Sequence, residues 1–279
     1  MDITLEVSCR GSDVLPLGLY RQQGAIPGAY VTPLQYHKDL EIFLSLEGST
    51  QVVIDGESME TQPNTLYFIN PYQPHSMQIA APPSRYDCLL IPAGLLSFPP
   101  GHAVMADLIG PIFDGKLSFV RQSQDPYLIE LFQRITANYD EKEQNAAGII
   151  GNLLLFLDHC QKHGLLQKTA DQPTQPIRKA VDYIQQNFQQ KLTLTQIAAT
   201  TGMNEKYFCS YFKKHTHTTP IAYLTMLRIR QAKVLLRENR LSVLEVAFSC
   251  GFDNVSFFIR QFKAATGQTP GQYRKSVCQ

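Results

Sequence analysis

The sequence predicts an α+β protein of two domains, an N-terminal antiparallel β-barrel of jelly-roll type with trailing helices and a C-terminal all-helical domain. Three observations support this prediction. Short apolar runs between turn residues fill the first third of the chain, which is typical of an antiparallel barrel. A pattern of caps, glycines and aromatic residues occurs twice near the end of the chain. The charge also changes sign, because residues 173–279 carry 15 Lys or Arg against 5 Asp or Glu, whereas residues 1–172 carry 10 against 19.

The predicted strands follow a weakly patterned stretch of about 30 residues, which we interpret as an arm or as early strands. Residues 40–54 indicate a strand, a turn at Gly48 and a second strand, which ends in the hairpin dipeptide Asp55-Gly56. Further strand-like runs, separated by clusters that contain proline, are found at residues 66–69, 77–79 and 86–91. This spacing of short strands predicts the barrel.

Two helices are predicted after the barrel, beyond a poorly patterned stretch rich in Gly and Pro. The first spans about residues 126–141, and its apolar residues are spaced for one helical face. The second spans about residues 145–162 and is apolar on more than one face, which suits burial on two sides.

Residues 164–176 are predicted to link the domains, because small, polar and proline residues occur there without periodicity. We therefore assign residues 1–163 to the first domain and residues 177–279 to the second. The second domain begins with a helix whose apolar residues form one stripe.

The second domain contains two copies of one helical unit. Thr193 and Ser242 are 49 residues apart, as are Gly202 and Gly251, and the aromatic and proline positions that follow are 50 apart. Such self-similarity indicates a repeated supersecondary unit. Each copy begins with a capping box, turns at its glycine and enters a second helix, which predicts a helix-turn-helix. Residues 220–238 are predicted to form one long helix that holds the two copies at a fixed separation.

The second copy also carries most of a family resemblance, in Val246-Ala247, Gly251-Phe252, Phe258, Phe262-Lys263, Gly267, Thr269-Pro270 and Tyr273-Arg274. On these residues, the stretch from about 177 to 275 resembles the AraC/XylS family of bacterial transcription regulators. The resemblance implies sequence-specific binding to double-stranded DNA under the control of a small-molecule effector. Activation is more frequent than repression in that family, so we expect an activator. One departure is His217, where the first copy often carries glycine.

The second helix of each copy is predicted to enter the major groove, where every base pair presents a distinct set of donors and acceptors. Once the core-facing positions are removed, the candidate DNA-binding residues are Glu205, Lys206, Cys209, Ser210, Lys213, Asn254, Val255, Ser256, Ile259, Arg260 and Lys263. Among these, Lys206 and Arg260 are the best candidates for contacts to bases or phosphates. Lys213 and Lys263 favour phosphate, the alternative being that their stems only cover a neighbouring phenylalanine. The basic charge of the domain agrees with a nucleic-acid partner.

The barrel carries a second, shorter resemblance. His37, Glu41 and Gly48 match part of the first cupin motif, and His75 lies where the second motif places its histidine. This stretch therefore resembles the cupin-like effector domain of many AraC-family members, and we assign the effector site to His37, Glu41, Tyr67 and His75. Imidazoles and a carboxylate that converge in a barrel can bind a divalent metal. Gln35 stands where the cupin metal site usually has a further histidine. For a regulator we favour the alternative that His37 and His75 line a ligand pocket, or cap loops at the barrel mouth, without metal.

The resemblance also bears on partners. The helices after the barrel often form the dimer contact in that family, and we weigh this role equally with ordinary packing. A homodimer that cooperates with RNA polymerase is the implied assembly. The N-terminus does not read as a secretory signal, the cysteines form no CxxC pair, and no apolar run approaches a membrane span. We therefore expect reduced thiols, a cytoplasmic location and no membrane partner.

Two enzymatic alternatives compete with the regulator hypothesis. One is a cupin metalloenzyme, fused to a DNA-binding tail, that uses His37, Glu41 and His75 with iron or manganese; Gln35 argues against it. The other is a DNA-repair methyltransferase, which needs a zinc-binding cysteine cluster that the scattered cysteines do not supply. We expect a regulator without enzymatic activity and without a cofactor.

Overall fold

The fold, taken from a computed structural model, divides between residues 172 and 173 into two units. The structure describes residues 15–24, 30–99, 101–139, 145–169 and 175–277. Residues 1–14, which belong to the stretch that we interpreted as an arm or as early strands, lie outside the described residues, as does the middle of the predicted linker. Among the described helices, none is both long enough and apolar enough to cross a membrane.

The described part of the first unit contains nine strands, β1 (Gly18–Gly24), β2 (Tyr30–Gln35), β3 (Leu40–Ile54), β4 (Glu57–Glu60), β5 (Thr65–Ile69), β6 (His75–Ile91), β7 (Leu117–Phe119), β8 (Gln122–Ser123) and β9 (Leu166–Lys168). Seven of them form one antiparallel sheet in the order β1-β6-β3-β5-β8, with β2 paired to β6 and β4 paired to β3. Strands β7 and β9 form a separate antiparallel pair. The predicted antiparallel sheet is confirmed, and its jelly-roll topology stays a prediction.

Gly48 is a bulge inside one long strand, so the predicted turn there is wrong. Strand β3 continues through this position, and its pairing with β6 shifts register on both sides of it. Gly48 has a φ of +64°, and a Cβ at this position would collide with the backbone oxygens of Ala81 and Pro83. The runs predicted separately at residues 77–79 and 86–91 likewise belong to the single strand β6. A bulge of this kind bends a strand without ending it.

Helices complete the first unit. After a 3-10 turn (Ala93–Leu96) and a π turn (Met105–Ile109), the α-helices are α1 (Gly110–Phe113), α2 (Pro126–Ala137) and α3 (Ala146–Lys162). Both predicted long helices are present, although α2 ends earlier than expected. The Asp125 side chain caps α2, and the Asn145 side chain caps α3.

The sheet has two apolar faces, because successive residues of a strand point to opposite sides. One face, which includes Leu40, Ile42 and Leu44, packs with α2 and α3 in a single hydrophobic cluster. The opposite face, hereafter the site face, carries Phe43, Val52, Ile54, Tyr67, Ile69, Met77, Tyr86 and Cys88. Glu41 shares the site face because it lies two residues from Phe43 along β3.

The predicted linker folds in part with its neighbours. Residues 166–168 form β9 and pair with β7, so the start of the segment that we assigned to the linker belongs to the first unit. The first helix of the second unit begins at Gln175, inside the predicted linker. Backbone pairing therefore overrides the polar, aperiodic composition of this segment.

The second unit is all-helical in its described residues, as predicted. Its helices are α4 (Gln175–Asn187), α5 (Leu194–Ala199), α6 (Glu205–Thr216), α7 (Pro220–Glu238), α8 (Val243–Ser249), α9 (Val255–Thr266) and α10 (Pro270–Val277). The long connecting helix has the predicted bounds. Helices α5 and α6 form the first helix-turn-helix, and α8 and α9 form the second.

The repeated caps and turns follow the sequence closely. Thr193 and Ser242 each begin a capping box, with Gln196 and Glu245 as their respective partners. The turn glycines have positive φ, +71° at Gly202 and +83° at Gly251. His217 ends α6 in the left-handed conformation with a φ of 57°, and Gly267 ends α9 in the same way with a φ of 76°. The missing glycine in the first copy therefore leaves the turn geometry unchanged.

Candidate nucleic-acid interface and sheet-domain site

Helix α6 presents a polar side opposite an aromatic core. It begins at Asn204, whose side chain accepts a hydrogen bond from the Tyr207 backbone. Phe208 and Phe212 are fully buried, with their rings edge to face at 5.5 Å. The predicted DNA-binding positions on the other side are exposed at Glu205, Lys206, Ser210 and Lys213, whereas Cys209 is half-buried. The expectation of an exposed Cys209 is corrected accordingly.

Helix α9 repeats this arrangement. Asn254 caps it by accepting a hydrogen bond from the Phe257 backbone, and Phe258 and Phe262 form its buried side. The exposed predicted positions are Asn254, Ser256, Arg260 and Lys263. Val255 and Ile259, which we expected on the exposed side, are half-buried, because they pack against the core formed by α7, α8 and α9. Only part of each side chain is available for a thymine methyl.

Two exposed aromatic residues were absent from the sequence-based set. Tyr207 is 57% exposed and Phe257 is 39% exposed. Each lies one residue before a buried phenylalanine in its copy of the repeat, and that shared position is the signal that could have found them. The Arg260 guanidinium carbon lies 6.0 Å from the centre of the Phe257 ring, so the arginine and the aromatic ring form one surface on α9.

Some predicted positions also have partners within the unit. The Glu205 carboxylate accepts a hydrogen bond of 2.5 Å from the Thr195 hydroxyl, which ties the start of α6 to α5. The Ser210 hydroxyl donates to the Lys206 carbonyl oxygen at 3.3 Å. Among the predicted positions, the exposed cations are Lys206 and Lys213 on α6 and Arg260 and Lys263 on α9, and these four are the principal candidates for contact with a polyanion.

The sheet domain brings together three of the four predicted effector residues. On the site face, Nε2 of His37 and Nε2 of His75 both lie 3.2 Å from Oε2 of Glu41. The two imidazole rings meet edge to face with their centres 4.9 Å apart. All three side chains are buried, and we call them the His-Glu-His cluster.

Nδ1 of each imidazole is hydrogen-bonded to a backbone carbonyl oxygen. Nδ1 of His37 lies 3.1 Å from the carbonyl oxygen of Asp39, and Nδ1 of His75 lies 2.9 Å from the carbonyl oxygen of Gln73. A carbonyl oxygen can only accept, so each Nδ1 carries the proton and donates it. This fixes both ring orientations with Nε2 toward Glu41.

Cys88 completes the surroundings of Glu41, and sequence reasoning missed it. Its thiol donates to Oε1 of Glu41 with an Sγ–O distance of 3.2 Å. Burial and the neighbouring Glu41 carboxylate raise the pKa of the Cys88 thiol well above its usual range, so the group stays protonated. Cys88 is opposite Phe43 in the β3–β6 pairing, which no local sequence pattern reveals.

The electrostatics of the cluster favour an ionised Glu41. Burial acts to raise the pKa of this carboxyl, but the charges and hydrogen bonds of His75 and His37 outweigh it and hold the pKa well below its usual range. The site face therefore contains a buried carboxylate that needs positive charge around it.

Tyr67, the fourth predicted effector residue, also lies on the site face. Its ring is fully buried and stacks on Phe43 with the centres 4.9 Å apart. Its hydroxyl accepts a hydrogen bond from the Gln62 backbone N–H at 2.8 Å. Tyr67 thus forms part of the wall of this face, while the His-Glu-His cluster carries its polar chemistry.

Two family models match the chain. A helix-turn-helix domain matches residues 197–276, and an AraC-like ligand binding domain matches residues 17–157. The helix-turn-helix-type transcriptional regulator YobQ of Bacillus subtilis is 25% identical over 86% of this chain and 88% of its own. The melibiose operon regulatory protein of Escherichia coli K12 is 23% identical over 93% of this chain and 91% of its own.

Solved structures of ToxT from Vibrio cholerae share the fold. One at 1.65 Å resolution has a TM-score of 0.62 at 12% identity and covers 93% of this chain and 98% of ToxT. Another, with unsaturated fatty acid bound, has a TM-score of 0.58 at 15% identity and covers 92% of this chain and 94% of ToxT. The likeness supports a sheet domain followed by a helical helix-turn-helix domain.

Proposed function

The chain belongs to the family of AraC-type transcription regulators, and on this premise we propose that α6 and α9 read one DNA site under the control of a ligand bound on the site face of the sheet domain. The observation that carries the proposal is the equivalence of the two helices. Each has an asparagine cap, two buried phenylalanines, an exposed aromatic residue and exposed cations. Two such surfaces on one compact unit can contact successive major grooves of a duplex.

Base contacts are proposed for Lys206 and Arg260, and phosphate contacts for Lys213 and Lys263. We propose that the exposed rings of Tyr207 and Phe257 lie beside the DNA backbone. In α9 the Arg260 guanidinium lies beside the Phe257 ring, with its carbon 6.0 Å from the ring centre.

A homodimer is proposed through the outer side of α3. Ala147, Gly151 and Leu155 are all exposed and lie four residues apart, so they form one stripe along this helix. Leu155 is 48% exposed, so together with the two small residues it gives this side of α3 an apolar surface on which a second copy of the chain can pack. We propose further that the dimer activates transcription together with RNA polymerase in the cytoplasm.

We propose that the chain has no enzymatic activity. The observation that favours the alternative, a metalloenzyme fused to a DNA-binding unit, is the His-Glu-His cluster itself. The family to which the chain belongs, together with helices α6 and α9, favours a regulator. In a regulator such a cluster binds the controlling ligand.

Selection of genomic DNA fragments by the purified full-length chain, followed by footprinting at two salt concentrations, tests the proposal. We expect a protected site that spans two successive major grooves on one side of the duplex, with a sequence preference that survives the higher salt. Binding that disappears with salt and shows no preferred sequence would mean phosphate contacts alone and would contradict the proposal.

A further inference from the structure

The His-Glu-His cluster gathers three electron-pair donors at one point inside the sheet domain. Its members come from the loop before β3, from β3 itself and from the start of β6. One donor atom from each side chain lies within 4.8 Å of the other two. Since His37, Glu41 and His75 are only 5%, 6% and 1% exposed, water screens their mutual interaction little.

The ring orientations turn three donor atoms toward one another. Because both Nδ1 atoms donate to carbonyl oxygens, Nε2 of each imidazole is the nitrogen that faces Oε2 of Glu41, at 3.2 Å in both cases. A buried carboxylate needs positive charge beside it, and a metal ion between the three atoms would supply that charge.

The distances from both imidazoles to the carboxylate suit a single metal ion. Two ligand atoms about 2.1 Å from one ion, at an angle of about 100°, are about 3.2 Å apart. Both Nε2–Oε2 distances have this value. Two imidazoles with one carboxylate suit zinc and the other divalent transition metals, whereas calcium and magnesium prefer oxygen ligands alone.

The hydrogen bonds around the cluster are of the kind that orients metal-binding side chains. Metal-binding imidazoles usually donate their second nitrogen to a carbonyl or carboxylate, and both do so here. The Cys88 thiol occupies Oε1 of Glu41, which leaves Oε2 facing the two imidazoles. Three protein donors leave coordination positions open for water or for a donor atom of another molecule.

We propose that His37, Glu41 and His75 together bind one divalent transition-metal ion. The sheet domain then detects either this ion or a molecule that binds to it. The proposal rests on the proposed function of this domain as a ligand-controlled regulator. It departs from our sequence-based expectation of a pocket without metal. Three donors meet without any contribution from Gln35.

Equilibrium dialysis of the full-length chain, stripped with a chelator, tests the proposal with Zn²⁺, Co²⁺, Ni²⁺, Mn²⁺ and Fe²⁺ added singly. We expect one ion per chain for at least one of these metals and a higher melting temperature in its presence. With Co²⁺, absorption bands of a site with nitrogen and oxygen ligands should develop, and this measurement needs no variant.

Matched variants locate the ion. Glu41→Gln and His75→Ala should each weaken binding at least about tenfold, since each removes a ligand. Glu47→Gln and His102→Ala alter the same residue types at other sites, half-exposed in the first case and exposed in the second, and should leave binding unchanged. Equal binding by Glu41→Gln and wild type would overturn the proposal.

The outcomes separate this inference from the proposed function. If the wild-type chain binds none of the five metals but selects a DNA sequence that an organic ligand modulates, the metal inference fails and the regulator proposal stands. If the chain binds metal but selects no DNA sequence, the regulator proposal fails and the site stands.

Discussion

Arg228, in the middle of α7, donates a hydrogen bond from Nε to the carbonyl oxygen of Phe188 at 2.8 Å. A second bond runs from Nη2 of Arg228 to the carbonyl oxygen of Gln190 at 2.7 Å. The guanidinium carbon also lies 5.6 Å from the centre of the Phe252 ring, in the turn of the second helix-turn-helix. Arg228 therefore connects three parts of the helical unit. These are the segment that follows α4, helix α7 itself and the turn of the second helix-turn-helix.

Loss of this junction should loosen the helical unit. We expect Arg228→Gln to lower the free energy of unfolding by about 1–3 kcal/mol, because two carbonyl oxygens lose a charged donor. Urea unfolding of the full chain, followed by circular dichroism, measures the change. Arg240→Gln is the matched control, since Arg240 is exposed just beyond the end of α7. Equal effects of the two substitutions would show that the junction contributes nothing.

The two turn glycines should differ in their tolerance of alanine. At Gly202 a Cβ meets nothing within 4 Å, so Gly202→Ala should cost only the left-handed backbone strain of about 1–2 kcal/mol. At Gly251 a Cβ would lie 2.6 Å from the Phe188 carbonyl oxygen and 2.8 Å from that of Gln189. Gly251→Ala should therefore cost about 1–3 kcal/mol more than Gly202→Ala. Parallel urea titrations compare the two, and a larger loss for Gly202→Ala would contradict the close packing at Gly251.

Substitution of Arg260 and substitution of Lys263 should change DNA binding in different ways. Arg260→Ala should weaken the preferred site by about 1–3 kcal/mol and relax the sequence preference at one position, if Arg260 contacts a base. Lys263→Ala should weaken all sequences alike and reduce the slope of log affinity against log salt by about 1. Fluorescence anisotropy over a set of single-base operator variants separates the two patterns. A uniform loss for Arg260→Ala would assign it to phosphate.

Cys209 should report on the DNA surface of α6. Burial raises the pKa of the Cys250 thiol, and also that of Cys160, to about 12, so both should resist alkylation at neutral pH. Cys209 is half-buried on α6 and should react faster than either. Iodoacetamide labelling with peptide mass spectrometry gives the rates. Bound operator DNA should slow the reaction at Cys209 and leave Cys160 unchanged, and an unchanged rate at Cys209 would place α6 away from the DNA.

Local rules predicted the helical unit well, because its determinants lie close together in sequence. Thr193 and Gln196 are three residues apart, and their hydrogen bonds form within one turn. Gly202 and Gly251 take the positive φ that a tight turn requires. The length of α7 followed from the proline at its start and an uninterrupted apolar pattern. Residues at the edge of the core were the exception, since the rotation of α9 that half-buries Ile259 depends on packing against α7 and α8.

The sheet domain was less predictable, because its contacts join distant positions. Gly48 was interpreted as a turn, since a bulge and a turn share the same preference for glycine. The convergence of His37, Glu41 and His75 was predicted only through a resemblance. Cys88 was missed because its contact with Glu41 depends on the register between β3 and β6, 47 residues apart in sequence.

The most direct test of the account is the affinity of the full-length chain for its selected operator after insertion of base pairs between the two half-sites. Helix α7 has 19 residues and spans about 28 Å, so it holds α6 and α9 in one arrangement. An insertion of about five base pairs turns the half-sites to opposite sides of the duplex and should reduce affinity to that of a single half-site. An insertion of one full helical turn of DNA should restore little of the lost affinity, because the connecting helix α7 cannot lengthen. Undiminished affinity with either insertion would show that only one helix-turn-helix reads DNA and would contradict the central claim.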